Sequence, residues 1–174
     1  MKIIGERIFL KCLTEEDASS EYVSWMNDSE ITQFLESKGR KFTLQDIKDY
    51  IKKMESSLDN YLFGIFLKDT GQHIGNIKIG GINSIHKFAE MGLIIGKKEL
   101  HGKGYGTEAI KLATKYAFEK LGLNKLVAGM YENNIGSYKA FIKAGYREVG
   151  RLRKHRLYKG RYVDEILVER CKDE

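Results

Sequence analysis

Apolar residues recur along this chain with two different periods, and the switches between them lay out its elements. From Ile3 to Leu13 the pattern alternates, with Ile8 and Leu10 on one side and Arg7, Phe9 and Lys11 on the other, which predicts a first strand. Thr14 followed by Glu15, Glu16 and Asp17 reads as a helix N-cap with an acidic first turn. Tyr22, Trp25 and Met26 supply the apolar face of that helix, and Asn27-Asp28-Ser29 ends it. Residues 31–40 make a loop or short helix containing Phe34 and Leu35. Thr43 caps a second helix with Asp46 at its third position, and Leu44, Ile47, Tyr50, Ile51, Met54 and Leu58 keep helical spacing.

The period then drops to that of strands. Residues 61–68, 73–82 and 88–95 predict a meander, turned at Asp69-Thr70-Gly71 and at Asn83-Ser84-Ile85-His86. Ala109, Ile110, Ala113, Tyr116, Ala117 and Leu121 restore helical spacing over 107–121. A strand at 124–131, a helix at 135–144 and a hairpin of 146–157 with 161–170 around Lys159-Gly160 complete the chain. The order β-α-α-β-β-β-α-β-α-β-β is that of an α+β domain with a mixed central sheet flanked by helices, and 1–174 reads as one domain.

Composition narrows the class. At 42% hydrophobic and 31% charged residues the chain reads as a globular protein able to bury a core without staples. No apolar run is long enough for a membrane span, the first seven residues are too charged for a signal peptide, and the expected location is cytoplasmic. Cys12 and Cys171 form no C-x-x-C pair and read as reduced thiols; four scattered histidines offer no zinc spacing, so no metal is expected. The net charge of +6 suits a protein that holds a polyanion. No aromatic–basic interleaving or recognition helix points to nucleic acid, and no membrane partner is expected; a homodimer stays open.

Between the third meander strand and helix 107–121 lies Leu100-His101-Gly102-Lys103-Gly104-Tyr105-Gly106-Thr107. A strand, a glycine-rich loop and a helix start make an anion site: the first helical N–H groups are unpaired, the dipole is positive there, and glycine lets backbone approach a phosphate. The Walker pattern fails because glycine follows Lys103. The dinucleotide fingerprint is formally met by Gly104, Gly106 and Ala109, but some 95 residues precede the loop and Glu132 comes late for the ribose-binding acid. The meander also contradicts the parallel sheet that a dinucleotide-binding oxidoreductase requires.

The loop resembles the acyl-CoA site of the GNAT N-acetyltransferase superfamily, Gln/Arg-x-x-Gly-x-Gly/Ala, with Gly104 and Gly106 as its glycines and His101 departing from Gln/Arg. A second element, Asn134-Ile135-Gly136-Ser137 and then Phe141 to Tyr146, is similar to that family's N-x-x-S…K-x-G-[FY] helix. The ending through Gly150 to His155 and Tyr158 to Asp164 resembles the branch of ribosomal-protein alanine and spermidine N-acetyltransferases. The resemblance implies the GNAT fold and acetyl transfer from acetyl-CoA to a primary amine by direct attack in a ternary complex. Acceptors rank as a small-molecule amine or amino sugar, then a protein N-terminus, then a polyamine. The rival reading is a catalytically silent acyl-CoA-binding module.

Carried onto this sequence, the resemblance assigns the cofactor to Ile94, Ile95, Gly96, His101, Gly102, Lys103, Gly104, Tyr105, Gly106, Thr107, Asn134, Ser137 and Lys143. A strand amide near Ile94–Gly96 serves as oxyanion donor, the strand splaying from its neighbour to admit the pantetheine arm. Glu90, on the strand leading to the loop, is the candidate base, or else a carboxylate on an exposed strand face. Many relatives place a tyrosine proton donor where this chain has Phe141, which leaves Ser137 or Tyr138; Ser137 could equally be a helix-start residue and Tyr138 a core one. Trp25, Asn27 and Phe34 fall in the region that shapes the acceptor pocket in that fold. The basic run Arg151 to Arg161 either grips an anionic acceptor or is the wet face of a hairpin.

Overall fold

A computed structural model describes residues 1–174, and its first apolar segment is two strands rather than one. β1 (Lys2–Ile4) and β2 (Ile8–Cys12) pair antiparallel with Ile3 opposite Leu10, reversed at Gly5, whose N–H donates to the Ile8 carbonyl at 2.9 Å. The alternation that suggested a continuous strand survives a tight reversal, because the reversal leaves Ile8 and Leu10 on the core side. The expected cap at Thr14 closes only one 3₁₀ turn, Glu15–Asp17, with the Asp17 carboxylate accepting the Thr14 N–H at 2.8 Å. The helix itself, α1 (Ser20–Met26), starts after Ser19, whose hydroxyl accepts from the Tyr22 N–H. Asp28 caps a single further turn, α2 (Ser29–Thr32), while α3 (Leu44–Glu55) begins at Thr43 with the expected Thr43–Asp46 box.

β3 (Tyr61–Leu67), β4 (His73–Asn83) and β5 (Phe88–Ile95) form the meander. They are followed by α4 (Tyr105–Glu119), β6 (Lys125–Tyr131), α5 (Ile135–Lys143), β7 (Arg147–Tyr158) and β8 (Arg161–Cys171). One sheet runs in the order β1-β2-β3-β4-β5-β6-β8-β7. Every neighbouring pair is antiparallel except β5 with β6, which the α4 crossover makes parallel.

Both faces of this sheet are covered. Along β3, Phe63 and Ile65 enter the larger core cluster while Leu62 and Phe66 enter the smaller. α4 and α5 press Ala109, Ile110, Ala113, Ala117 and Phe141 into the larger cluster; α1 and α3 press Tyr22, Trp25, Ile47 and Ile51 into the smaller. Burying an apolar side chain of this size stabilises by about 1.5–3 kcal/mol, so even the smaller cluster fixes α1 and α3 on the sheet. No helix is long and apolar enough to cross a membrane.

The feature that positions the site is a break in this sheet. β5 and β6 pair only at Phe88–Lys125, Ala89–Leu126 and Glu90–Val127. Beyond Glu90 they separate: Met91 to Ile95 stays on β4, and Ala128 to Tyr131 stays on β8.

Candidate active site

The gap between β5 and β6 has a wall of unpaired backbone. Gly96 donates its N–H to the Ile74 carbonyl of β4 at 2.8 Å. Because N–H and C=O groups alternate sides along a strand, Ile94 also faces β4, and the amides of Leu93 and Ile95 face the gap. The carbonyl of Ile95 confirms its direction by meeting the His101 Nε2 at 2.7 Å, away from β4. The expected donor range of Ile94–Gly96 therefore narrows and shifts: Gly96 and Ile94 serve the β4 ladder, and Leu93, absent from the sequence-based set, joins Ile95.

At the end of β5 the chain makes a 3₁₀ turn, Lys98–Leu100, and enters the glycine loop. Gly102 has φ +72° and Gly104, the residue before α4, φ +86°, a conformation that costs other residues about 1–2 kcal/mol. Gly106 lies inside the first turn of α4 rather than in the loop; a Cβ there would stand 3.3 Å from the Leu93 side chain. None of the six consecutive N–H groups from Gly102 to Thr107 has an acceptor within the protein. A nest of free donors at the N-terminus of a 15-residue helix is an anion site by geometry and by dipole.

Arg7, which the sequence did not flag, holds this loop in place. Its guanidinium donates to the Lys103 carbonyl at 2.9 Å, pairs with the Glu108 carboxylate at 3.1 Å and lies 4.4 Å over the Tyr105 ring. Glu108 also accepts the Arg7 N–H at 2.9 Å, so the start of α4 is latched to β2.

On the other face of the sheet, under α1 and α3, lies a cavity of about 780 Å³, within the usual range of small-molecule sites. Its floor is the polar face of the meander: Asn76, Lys78 and Gly80 from β4, Glu90, Gly92 and Ile94 from β5. Its roof includes Tyr22, Met26, Ile47 and Tyr50, and its mouth Leu35, Glu36, Arg40 and Phe42. Glu90 is the last residue of β5 paired to β6, and from it through Ile94 the strand lines both the cavity and the gap.

A family model for the acetyltransferase (GNAT) domain matches residues 7–147. The chain belongs to the GNAT acetyltransferases. Among curated relatives, an uncharacterized N-acetyltransferase p20 of Bacillus licheniformis is 29% identical over 97% of this chain and 95% of its own length. The probable N-acetyltransferase YjcK of Bacillus subtilis is 33% identical over 70% of this chain and 67% of its own. A GNAT-family acetyltransferase structure from Bacillus anthracis superposes with a TM-score of 0.84 at 24% identity over the full length of both chains. The spermidine N-acetyltransferase of Vibrio cholerae, solved with CoA and spermine, superposes at 0.87 with 22% identity over 97% and 98% of the two chains.

A GNAT enzyme takes its acetyl group from acetyl-CoA, and the residues present fit that donor. The nest from Gly102 to Thr107 suits a pyrophosphate, and the Leu93 and Ile95 amides suit an extended amide-bearing arm lying in the gap as an added strand. Asn134 caps α5, its Oδ1 accepting the Ser137 N–H at 3.3 Å. Lys143 lies apart from the loop, in a second cavity of about 610 Å³ shared with Lys111, Lys115, Arg170 and Lys172. No group of three or more His, Cys, Asp or Glu stands together to hold a metal ion.

The two proton-donor candidates differ in their surroundings. The Ser137 hydroxyl makes no hydrogen bond. Tyr138 packs against the core and donates its hydroxyl to Glu148 at 3.0 Å; that carboxylate pushes the phenol pKa up, while the Arg151 guanidinium at 2.8 Å holds Glu148 low. Phe141 is fully buried, edge-on to Tyr146 with ring centres 5.0 Å apart.

None of the three residues expected at the acceptor lines the cavity. Trp25 is 4% exposed and packs on Gly96 and His73. Asn27 makes paired 2.8 Å bonds with the backbone of Phe42, which brings the α2–α3 connection to the cavity mouth. Phe34 stacks on Tyr158 at 5.3 Å and meets Tyr131 at 5.5 Å. With Gln33 bonded to the Tyr158 hydroxyl, Glu36 paired to Arg156 and Lys38 bonded to the Leu157 carbonyl, this stretch forms a strap. It runs from the helical face across to β7, and its inner side contributes Leu35, Glu36 and Ser37 to the cavity. Of the basic run beyond residue 150, Arg156 serves that strap and Arg151 serves Glu148; neither lines the cavity.

Proposed function

We propose that this enzyme acetylates a primary amine by direct attack on acetyl-CoA, with small-molecule amines or amino sugars ahead of protein N-termini and polyamines. The observation that carries this reading is the continuity of parts: an anion nest runs into a gap lined by free amides, and Glu90 stands where that gap opens onto an amine-sized cavity. Neither Cys12 nor Cys171 lines the cavity, which favours direct transfer over an acyl-enzyme.

An amine with a pKa near 10.4 is almost wholly protonated at pH 7, so a base is needed. Glu90 is about 10 Å along the strand from Leu93 at roughly 3.3 Å per residue. It therefore takes the proton through water. The Leu93 and Ile95 amides stabilise the developing oxyanion, since fixed donors in a dry site need no reorganisation. Ser137, with an uncommitted hydroxyl, is better placed by its surroundings than Tyr138 to return a proton to the thiolate.

The test is thiol release from acetyl-CoA across amino sugars, N-terminal peptides, polyamines and aminoglycosides, with CoA-dependent thermal stabilisation measured in parallel. Turnover on one class confirms the enzyme and fixes its acceptor. Stabilisation without turnover on any of them returns the silent binding module, and no stabilisation at all removes the loop assignment.

A further inference from the structure

The floor of the acceptor cavity contains one buried polar side chain whose hydrogen bonding is incomplete. Asn76 is 4% exposed, and its Oδ1 meets the His73 Nε2 at 2.7 Å. Its Nδ2 is buried without any partner. A buried donor left unmade is unfavourable, and native proteins rarely keep one without a reason. The side chain belongs to the cavity wall and shares its sheet face with Glu90, Lys78 and Ile94. His73 fixes it in that position: the imidazole stacks on Phe66 at 4.6 Å and stands edge-on to Trp25 at 5.0 Å.

Three acidic groups of the cavity are occupied, whereas the exposed or half-buried Arg40, Lys41 and Lys78 side chains have no hydrogen-bond or ion-pair partner. Asp46 accepts from the Thr43 N–H and hydroxyl, Asp49 from Gln45, and Glu36 pairs with Arg156. Glu90 has no such partner, and it stands where β5 parts from β6. Asn76 lies four residue pairs further along the same floor, opposite Ile94.

We propose that Asn76 binds the acceptor through this free N–H, and that the acceptor is an amine whose body carries an oxygen acceptor such as a carbonyl, carboxylate or hydroxyl. The inference rests on the acetyl-transfer reading of the site. Position sets the spacing. β4 lies two strand spacings, about 10 Å, from the line an arm in the gap would follow, which puts the oxygen roughly 5–8 Å from the reacting nitrogen. A polyamine offers only cationic donors at that distance, and an N–H donor repels them. Tyr22, Met26, Ile47 and Leu62 give the same cavity apolar surface, which suits the carbon skeleton between the two groups.

A set of matched amines measures this directly. Rates of thiol release are taken for butylamine, pentylamine, 4-aminobutanamide, 5-aminopentanamide, glycinamide and spermidine, with wild type, Asn76→Asp and Asn76→Leu. The Asp variant keeps an oxygen that meets His73 and exchanges the donor for a charged acceptor; the Leu variant removes the whole amide without adding charge. In the wild type the two longer carboxamides should exceed the plain amines by about tenfold or more in kcat/KM, because a site built around a polar contact discriminates against analogues lacking it. Glycinamide, with its oxygen too close, should show no such gain. Both variants should bring the ratio near one, chiefly through KM, with CoA affinity by calorimetry unchanged. A wild-type ratio near one, a ratio retained in both variants, or a preference for spermidine overturns the inference. CoA binding without turnover of either longer carboxamide overturns it too. Absence of CoA binding in the wild type overturns the acetyl-transfer reading beneath it.

Discussion

The cofactor side and the acceptor side of this enzyme are built in opposite ways. On the proposed reading the cofactor cradle is one continuous stretch, from β5 through the glycine loop to Thr107, held from a distance by Arg7 on Lys103 and by Ile74 and Trp25 at Gly96. The acceptor cavity gathers side chains from α1, the α2–α3 connection, α3, β3, β4 and β5. A site made of contiguous backbone depends on φ angles and free N–H groups, which substitution of a single glycine can destroy. A site assembled from distant segments depends on the contacts that hold those segments together, and it degrades by degrees.

The largest expected effect falls on the cradle. Gly104→Glu forces a side chain into a conformation at φ +86° and places a carboxylate among the N–H groups of the nest. CoA affinity should fall by about a hundredfold or more, since strain and like-charge repulsion each contribute on the order of 1–3 kcal/mol. The protein should still melt cooperatively, because Gly104 is exposed. Unchanged CoA binding by calorimetry would mean that the nest does not hold the pyrophosphate.

Next comes the junction of the two sides. Glu90→Gln should lower kcat by about 10²-fold, the usual contribution of a general base, with the deficit greatest at low pH where the amine is most protonated. Acetyl-CoA binding should not change. A rate profile equal to wild type would return Glu90 to the role of an exposed strand carboxylate.

A smaller effect should separate the strap from the cradle. Phe34→Ala removes the stack on Tyr158 and the contact with Tyr131, so the α2–α3 connection loosens from β7. Because Phe34 is half-buried, the cost in stability should be about 1–3 kcal/mol, below that of a full core truncation. The acceptor KM should rise several-fold while CoA affinity stays constant. An equal loss of both would show that the strap supports the whole domain and not the acceptor wall.

The same contrast explains what could be read from the sequence. The meander, α4, α5 and the final hairpin follow local patterns and appear within a residue or two of their predicted places; α3 starts at its Thr43–Asp46 box as expected but ends at Glu55, leaving Leu58 outside the helix and exposed. The glycine loop was legible because positive-φ glycines before a helix are a local signal. The split of the first strand and the shift of the first cap from Thr14 to Ser19 were missed because both alternatives satisfy the same local chemistry. Trp25, Asn27 and Phe34 were expected at the acceptor from their region alone. Their burial, backbone bonds and stacking place them behind the cavity wall, and those contacts join residues up to 124 positions apart, as for Phe34 and Tyr158. Arg7, Asn76 and Leu93 had no local signal: an arginine in an alternating strand, an asparagine in a meander and an apolar strand residue gain their roles only from what lies across the sheet.

The smallest effect concerns acid. Burial among Phe66, Trp25 and Tyr22 pushes the His73 pKa below its ordinary value, against the hydrogen bond to Asn76, which raises it. The unfolded chain therefore takes up this proton at a higher pH than the folded one. Linkage then makes stability rise with pH across the interval between the two values. The contribution of His73 is complete above the ordinary histidine value of about 6.5 and is lost as pH falls from there through the folded value. The charge would appear beneath α1, so the acceptor face should loosen before the cradle does. Hydrogen exchange at pH 5.5 against 7.5 should show faster opening in α1 than in α4, and His73→Phe, which keeps the stack on Phe66, should reduce that difference. Equal acceleration in the two helices would assign the acid sensitivity to the carboxylates instead, Glu169 first among them, whose pairs with Lys125 and Arg147 hold its pKa low and tie β8 to β6 and β7.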